Sequence, residues 1–245
     1  RVVRCELGVA LPAAGVGCAF SRELLGVIAA ETQESGPFSV DSLTEDYELG
    51  LKIKAAGGKA WFLRARGEDG RLVATRACFP PTLPQAVRQK ARWVHGIALQ
   101  GWDRLGWSGG VAERWMRLRD RRGPLAALVL FTACVLLLLS AVLWLAEALG
   151  FGRPWQPSGL LVILLWANLA SFVWRAALRF AFTAREYGAA EGLRAVLRMP
   201  SSNIIAIMAG RRAFAAYVAS LLGARPRWDK TSHQTHAVDL IEASA

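Results

Sequence analysis

Two long apolar segments constrain the fold of this chain more than any other feature of its sequence. The first, Gly123 to Ala146, carries no charge, and a second uncharged run from Pro154 to Trp174 continues apolar to Phe182. A helix of about 20 apolar residues is long enough to cross the roughly 30 Å hydrocarbon core of a bilayer. The sequence therefore predicts two transmembrane helices, over residues 123–146 and 158–182.

Arginines in and around these segments predict their orientation. Arg175 and Arg179 are four residues apart, so both can reach the lipid headgroups from one face of the second helix. Only Arg153 lies in the short Gly/Pro-rich turn between the segments, whereas the outer flanks contain Arg117, Arg119, Arg121, Arg122, Arg185, Arg194 and Arg198. By the positive-inside rule, both outer flanks are expected to be cytoplasmic.

The charge of the chain points to a membrane partner. A formal net charge of +11 together with 53% hydrophobic residues is unusual for a soluble domain. The arginines flank apolar runs and do not form a groove with interleaved aromatic residues, so no nucleic-acid partner is expected. Membrane lipids fit the excess charge better. The four cysteines show no CxxC spacing, so neither a disulfide framework nor a zinc site is indicated.

A third apolar segment, Ser201 to Leu222, differs because Arg211 and Arg212 lie at its middle. Charges are unfavourable at the centre of a bilayer and tolerated at its surface, so we expect an interfacial helix after Pro200. The chain then has four parts. They are a folded domain over residues 1–122, two spans over 123–184, a cytoplasmic linker with the interfacial helix over 185–223, and a tail over 224–245.

In the first domain, the segment Asp41-Ser-Leu-Thr-Glu-Asp-Tyr-Glu-Leu is typical of a helix start. Ser42 and Glu45 have the spacing of a capping box, and Gly57-Gly58 would end the helix. The acidic first turn also complements the helix dipole, which is the ordinary structural explanation for Glu45 and Asp46. That explanation does not account for a second polar segment further along the chain.

The second polar segment follows Pro84, which lies near the first position of another predicted helix. Gln89, Arg92 and Trp93 fall at i, i+3 and i+4, so an amide, a guanidinium and an indole share one face. Alone, an arginine and a tryptophan on an amphipathic helix are commonly a rim cation and a half-buried anchor. Between the two helices, apolar runs over residues 60–65 and 72–77 predict two β-strands joined by a turn.

Together, Thr44-Glu45-Asp46 and Gln89-x-x-Arg92-Trp93, in this order and just before two predicted spans, resemble motifs of a known family. They are similar to the TED and QxxRW motifs of membrane-bound family 2 glycosyltransferases, the group containing cellulose and hyaluronan synthases. Gly17-Cys-Ala-Phe-Ser-Arg is similar to the glycine-containing loop that these enzymes place beside the acceptor. Trp228-Asp229-Lys230-Thr231 is similar to the tail segment that closes over the nucleotide as a gating loop.

The resemblance implies an α/β fold, namely the C-terminal half of a GT-A-type glycosyltransferase domain followed by α-helical transmembrane and interfacial helices. No Asp-x-Asp occurs in the sequence, and the chain starts at Arg1. We therefore expect a fragment, inactive alone, whose uridine-binding aspartate and metal-binding DxD precede Arg1. A divalent metal (Mg or Mn) would be bound mainly by those upstream residues, and no metal ligand is assigned within this chain.

The activity implied by the resemblance is inverting transfer of a sugar from a nucleotide-sugar donor to a saccharide or lipid-linked acceptor, as in polysaccharide synthesis. The catalytic part would lie at the cytoplasmic face of a bacterial inner (plasma) membrane. Asp46 would be the general base. The expected substrate-binding residues are Glu45 beside the base, Gln89 and Arg92 at the diphosphate, Trp93 under the acceptor sugar, and Trp228, Lys230 and Thr231 over the nucleotide.

Other classes of function stay open. A catalytically silent membrane docking subunit of a receptor complex could keep this fold, although a scaffold has no physical need for a base and a phosphate-binding arginine together. A transporter of small solutes is the weaker alternative, because two spans make a poor pathway. An outer-membrane or secretion partner would fit either the enzyme or the docking subunit.

Overall fold

The structure is a computed structural model that describes residues 1–32, 36–39, 41–70, 72–75, 80–151 and 157–224. Its helices are α1 Val2–Glu6, α2 Arg22–Thr32, α3 Glu45–Ala55, α4 Leu83–Val94, α5 Gly101–Leu105, α6 Val111–Arg121, α7 Gly123–Ala148, α8 Gly159–Tyr187, α9 Ala189–Leu197 and α10 Met199–Leu221. A π-helical turn, His95–Gln100, joins α4 to α5. The chain divides into two compact units. The first unit combines Arg1–Ala127 with the described residues from Met208 onward, and the second unit is Leu128–Ile207.

The α/β expectation is not confirmed, because no β-strand occurs in the described ranges. Where strands were predicted, residues 60–65 and 72–75 contain none, and residues 76 and 77 lie outside the described part. One isolated antiparallel bridge joins Arg66 to Leu72, and the Val73 N–H donates to the Ala65 carbonyl over 2.9 Å. Paired strands are stable when one face is buried. Here the side chains of residues 61–66 are all exposed, so the apolar composition predicted strands that have no buried face.

The two predicted spans are single apolar helices. Helix α7 has a mean hydropathy of 2.8 and α8 of 1.7, and both are long enough to cross a membrane. Ser158 caps α8 by accepting a hydrogen bond from the Leu161 N–H over 3.4 Å. Helix α7 buries only Ala127, and α8 buries no side chain at all. Their apolar surfaces are therefore suited to contact lipid rather than water.

Helix α10 also has the length and composition of a membrane-spanning helix, with a mean hydropathy of 1.4. The described residues thus contain three such helices, where the sequence predicted two spans and an interfacial helix. In the first unit, Ala209 and Ala213 of α10 pack against Ala91 of α4. This contact holds the middle of α10, where its two arginines lie, beside α4. The interfacial position of α10 stays a prediction.

The core of the first unit is built around α3. The buried side chains of this helix pack against α2 and against the segment after α1: Tyr47, Leu49, Leu51 and Ile53. Gly50 permits the closest approach, because a Cβ there would lie 2.4 Å from the Leu11 carbonyl oxygen. Helix α3 is therefore fixed on both sides, and its first turn is held in a defined position.

Candidate functional site

The first turn of α3 begins differently from the predicted capping box. Thr44, not Ser42, is the N-cap residue, and Ser42 Oγ donates a hydrogen bond of 2.8 Å to Glu48 Oε1. Glu48 is 1% exposed, and Arg104 Nε lies 3.2 Å from the same oxygen. A buried carboxylate is unfavourable unless it is paired and hydrogen-bonded. The capping-box prediction is wrong because the Ser42 hydroxyl donates its hydrogen bond to Glu48 and does not cap the helix.

Thr44 brings the two polar segments together. It packs against Gly96, in the π-helical turn directly after α4, where a Cβ would lie 2.5 Å from Thr44 Oγ1. Only a residue without a side chain permits this distance. The start of α3 and the end of α4 are thus in direct contact, and π-helical turns within helices often occur at functional sites.

The two carboxylate oxygens of Asp46 have different surroundings. Oδ1 accepts a hydrogen bond from the Tyr47 N–H over 2.8 Å. Oδ2 lies on the side of Gly15, 3.1 Å from the position that a Cβ would take there. Gly15 has a φ of +72°, in the left-handed region that other residues rarely adopt. The glycine therefore leaves room beside Oδ2.

Asp46 lines two cavities of the first unit. The larger has a volume of about 570 Å³, and we call it the Asp46–Trp93 cavity; it is also lined by Thr44, Tyr47 and Ile97. The smaller has a volume of about 310 Å³, and we call it the Gly15 cavity; it is also lined by Gly17, Phe20, Phe38 and Glu45. The carboxylate predicted to be the base therefore lies between an indole and the glycine-containing loop.

The predicted site residues are only partly brought together. Trp93 is 38% exposed and shares a cavity with Asp46. Gln89 and Arg92 lie on the same helix as Trp93, but neither is among the residues that line these two cavities. Positive charge at the Asp46–Trp93 cavity comes instead from residues that the sequence did not assign to the site: Arg1, Arg4 and Arg119.

A buried polar network holds the residue next to Asp46. Tyr47 Oη donates to Asp120 Oδ2 over 3.1 Å, and Arg4 Nη2 lies 2.6 Å from the same oxygen. Arg4 also donates to the Ala10 carbonyl over 2.8 Å. Burial, and next the negative charge of Asp120, raise the pKa of Tyr47, so its phenol stays protonated. The network ties α3 to α6 and to the segment after α1, and it fixes the first turn that carries Asp46.

Gln100 forms a second support for this turn. Its side-chain oxygen accepts from the Leu43 N–H over 3.0 Å, and its amide nitrogen donates to the Asp41 carbonyl over 2.7 Å. Sequence reasoning missed Gln100, Arg4 and Asp120 as contributors to the site. Their partners lie 57 to 116 residues away along the chain, so no local pattern marks them.

Two of the four arginines that precede α7 are used inside the domain. Arg117 donates to the Leu105 carbonyl over 2.8 Å, and Arg121 donates to the Gly101 carbonyl over 2.7 Å. Both side chains are buried, and burial lowers the pKa of Arg121. Of this group, Arg119 and Arg122 have exposed side chains, and Arg119 also lines the Asp46–Trp93 cavity. The charge asymmetry that predicts the orientation of α7 is therefore smaller than the sequence suggests.

Two parts of the predicted site are not described. Trp228, Lys230 and Thr231 lie outside the described residues. Within the part of the chain that the structure describes, no group of three or more His, Cys, Asp or Glu side chains is placed to hold a metal ion. The divalent metal was predicted to bind mainly upstream of Arg1, so its binding stays a prediction.

Comparison with known proteins adds a family and two relatives. Residues 1–146 match the family model described as glycosyl transferase family group 2. The chain is 34% identical to bacteriophage adsorption protein B of Escherichia coli strain K12, over 96% of the chain and 34% of that protein. The same identity and coverage hold for bacteriophage N4 adsorption protein B of Escherichia coli O157:H7. The chain thus spans about a third of the length of these relatives. No solved structure matches.

Proposed function

This chain belongs to glycosyl transferase family group 2, and from that premise we infer that it is part of an inverting sugar transferase. The donor is a nucleotide sugar, and the acceptor is a saccharide or a lipid-linked saccharide at the cytoplasmic face of a bacterial inner membrane. The activity belongs to the whole protein, of which this chain contributes the base and the acceptor side. One observation carries the proposal: Asp46 and Trp93 line one cavity.

In the proposed reaction, the acceptor hydroxyl oxygen attacks the anomeric carbon of the donor sugar. The new glycosidic bond forms as the bond from that carbon to the diphosphate oxygen breaks, which inverts the anomeric centre. Asp46 takes the hydroxyl proton, and the nucleoside diphosphate leaves with the bonding electrons. Asp46 Oδ2 suits this role because Oδ1 is already engaged by the Tyr47 N–H and Gly15 leaves space beside Oδ2.

Trp93 provides the acceptor sugar with a flat apolar surface and a polar edge, which aligns the hydroxyl before reaction. The indole is 38% exposed, so part of its surface is accessible to a sugar. Glu45, in the Gly15 cavity, orients the substrate next to the base. The Thr44–Gly96 contact holds the two helices at a fixed separation, so the carboxylate and the indole act as one site.

The diphosphate is assigned to Gln89 and Arg92, since a guanidinium can bind phosphate oxygens in a bidentate manner. Trp228, Lys230 and Thr231 close over the nucleotide in this proposal. The divalent metal would stabilise the leaving diphosphate, and the family resemblance assigns it mainly to residues upstream of this chain. The roles of Asp46 and Trp93 do not depend on the metal.

The second candidate is a catalytically silent membrane subunit of a receptor complex. The names of the two relatives favour it, since both are adsorption proteins. In such a subunit, Asp46 would serve only as an acidic residue in the first turn of a helix. The enzyme therefore requires Asp46 as a base, whereas the receptor subunit requires it only as an acidic residue at the start of a helix.

The Asp46→Asn variant of the full-length protein distinguishes the sugar transferase from the receptor subunit. As an enzyme it should keep its melting temperature and donor binding, while nucleotide release in the presence of acceptor falls by about 10² to 10⁴-fold, the usual contribution of a positioned base. Glu23→Gln is the matched control, because Glu23 is an acidic first-turn residue of α2 with an exposed side chain. Wild-type turnover by Asp46→Asn, or absence of any turnover in the unaltered protein, would favour the receptor subunit.

A further inference from the structure

A third cavity of the first unit lies between α4 and α10, with a volume of about 690 Å³. We call it the arginine cavity, because three arginines line it: Arg88, Arg211 and Arg212. Its other walls are apolar and include Val87, Met208 and Ala215. It shares no lining residue with the Asp46–Trp93 cavity or the Gly15 cavity.

Two of the three charges of the arginine cavity, those of Arg88 and Arg211, have no acidic partner in its described walls. No acidic side chain is among the described residues that line it. The Nε of Arg88 is buried and has no hydrogen-bond partner there, and Arg211 is exposed without a described ion pair. Like charges around one cavity repel each other unless an anion lies between them. Guanidinium groups bind phosphate in particular, through paired N–H donors.

The remaining walls indicate where that phosphate comes from. Helix α10 has the length and composition of a membrane-spanning helix. The packing of Ala209 and Ala213 against Ala91 places the middle of α10, with Arg211, beside α4. A free phosphate would leave the apolar side of the cavity in contact with water, whereas a phospholipid fills it with an acyl chain. Basic pockets beside membrane helices are typical sites for anionic headgroups.

We propose that the arginine cavity binds one anionic membrane phospholipid. Its phosphate lies between Arg88 and Arg211, and its acyl chain lies along Val87, Met208 and Ala215. The site is separate from the sugar-transfer site and does not require the proposed function. It nevertheless lies on the helix that carries Gln89, Arg92 and Trp93, so a bound lipid holds the first turns of α4 in place beside α10.

The test measures binding of phosphatidylglycerol to the purified full-length protein in detergent, by native mass spectrometry. Arg88→Gln combined with Arg211→Gln should weaken the tightest phosphatidylglycerol site by about tenfold or more, since each cation near a headgroup contributes to binding. Ala215→Trp leaves the charge unchanged and fills the apolar side, and it should weaken the same site. Phosphatidylcholine should bind equally to all variants.

The control is Lys54→Gln combined with Arg114→Gln, which removes the same two charges from exposed positions outside the cavity. This variant should keep the phosphatidylglycerol site. An equal loss in the control and the test variants would overturn the proposal, because the effect would then be one of general surface charge. Displacement of the lipid by inorganic phosphate at equal concentration would also overturn it, because the ligand would then be a free phosphate. Retained binding by Ala215→Trp would exclude the acyl-chain placement.

Discussion

The two units differ in the surroundings of their charged and apolar side chains. In the first unit, charged groups are buried and matched by specific partners, as Glu48 is by Ser42 and Arg104, and Arg4 by Asp120. In the second unit, α8 buries no side chain, and its apolar residues lie on the outside. Exposure therefore has two meanings in this molecule. An exposed leucine outside the apolar helices, such as Leu63, contacts water, and an exposed leucine of α7 or α8 is suited to lipid.

Because of this difference, the first unit is suited to hold a reactive site, and the apolar helices are suited to cross a membrane. A buried polar network holds a reactive group rigidly in one position, and catalysis requires such positioning. An apolar helix in lipid is specified mainly by its length and composition. The candidate site accordingly lies in the unit with buried charges. Three of the following four pairs of substitutions compare the two units, and one tests a contact within the first unit.

The largest effect is expected from a charge in α7. Leu136→Arg places a guanidinium near the middle of that helix, where insertion into a bilayer becomes less favourable by about 2.5–3.5 kcal/mol. Leu63→Arg is the control, since Leu63 is 82% exposed in the first unit, and it should change stability by less than about 0.5 kcal/mol. Carbonate extraction of membranes measures the result. If Leu136→Arg stays fully membrane-integrated, the exposed face of α7 does not contact lipid.

The second-largest effect, on the free energy of unfolding, is expected from breaking one ion pair in the first unit, and an ion pair in the second unit is the control. Glu48→Gln should lower the free energy of unfolding by about 3 kcal/mol, because it removes a buried negative charge that Arg104 and the Ser42 hydroxyl contact. Glu191→Gln breaks the exposed pair with Arg194 in the second unit and should cost less than about 1 kcal/mol. Denaturant titration of the purified protein measures both. Similar losses for the two variants would remove the energetic distinction between the units.

A smaller effect is expected at the contact between α3 and the π-helical turn. Gly96→Ala places a Cβ 2.5 Å from Thr44 Oγ1, and the required shift should destabilise the fold by roughly 1–3 kcal/mol. Gly26→Ala serves as the control, because that helical glycine has open space around it and alanine should stabilise α2 by about 0.5–1 kcal/mol. Melting temperatures should move in opposite directions. A neutral Gly96→Ala would show that Thr44 is not tightly held.

The smallest effect concerns Tyr47. Tyr47→Phe removes a hydrogen bond to Asp120 and should cost about 1 kcal/mol near neutral pH. Because burial raises the pKa of Tyr47 in the folded protein, the unfolded chain releases the phenol proton first, above pH about 10. Stability should therefore fall as the pH rises beyond that point, and Tyr47→Phe should lose this part of the decline. Tyr187→Phe, at an exposed position, should leave the decline unchanged.

The sequence predicted the helical parts well for a physical reason. The membrane helices α7 and α8 are specified by about 20 consecutive residues each, so errors at single positions matter little. Helix α4 was predicted from Pro84 and the shared face of Gln89, Arg92 and Trp93, and it extends from Leu83 to Val94. Both signals are local. The family was also predicted, from two short polar segments.

The contacts that assemble the site could not be predicted in the same way. Tyr47 meets Asp120 across 73 residues of sequence, and Arg4 meets Asp120 across 116. Glycine at position 96 is needed only because Thr44 lies against it. The predicted strands failed for a related reason, since their apolar residues have no face to bury. Long-range packing decides all of these, and a single sequence carries no direct signal for it.

The π-helical turn between α4 and α5 makes this region sensitive to insertion and deletion during evolution. Each residue of a regular helix turns the chain by about 100°. Loss of one residue between Val94 and Gly101 would convert the turn to α-helix and change the positions of the residues within it. Two contacts of the site depend on this turn, since Gly96 lies against Thr44 and Gln100 bonds to Asp41 and Leu43. A one-residue gap at this place in a homologue would therefore mark a rebuilt site, even where both polar segments are unchanged.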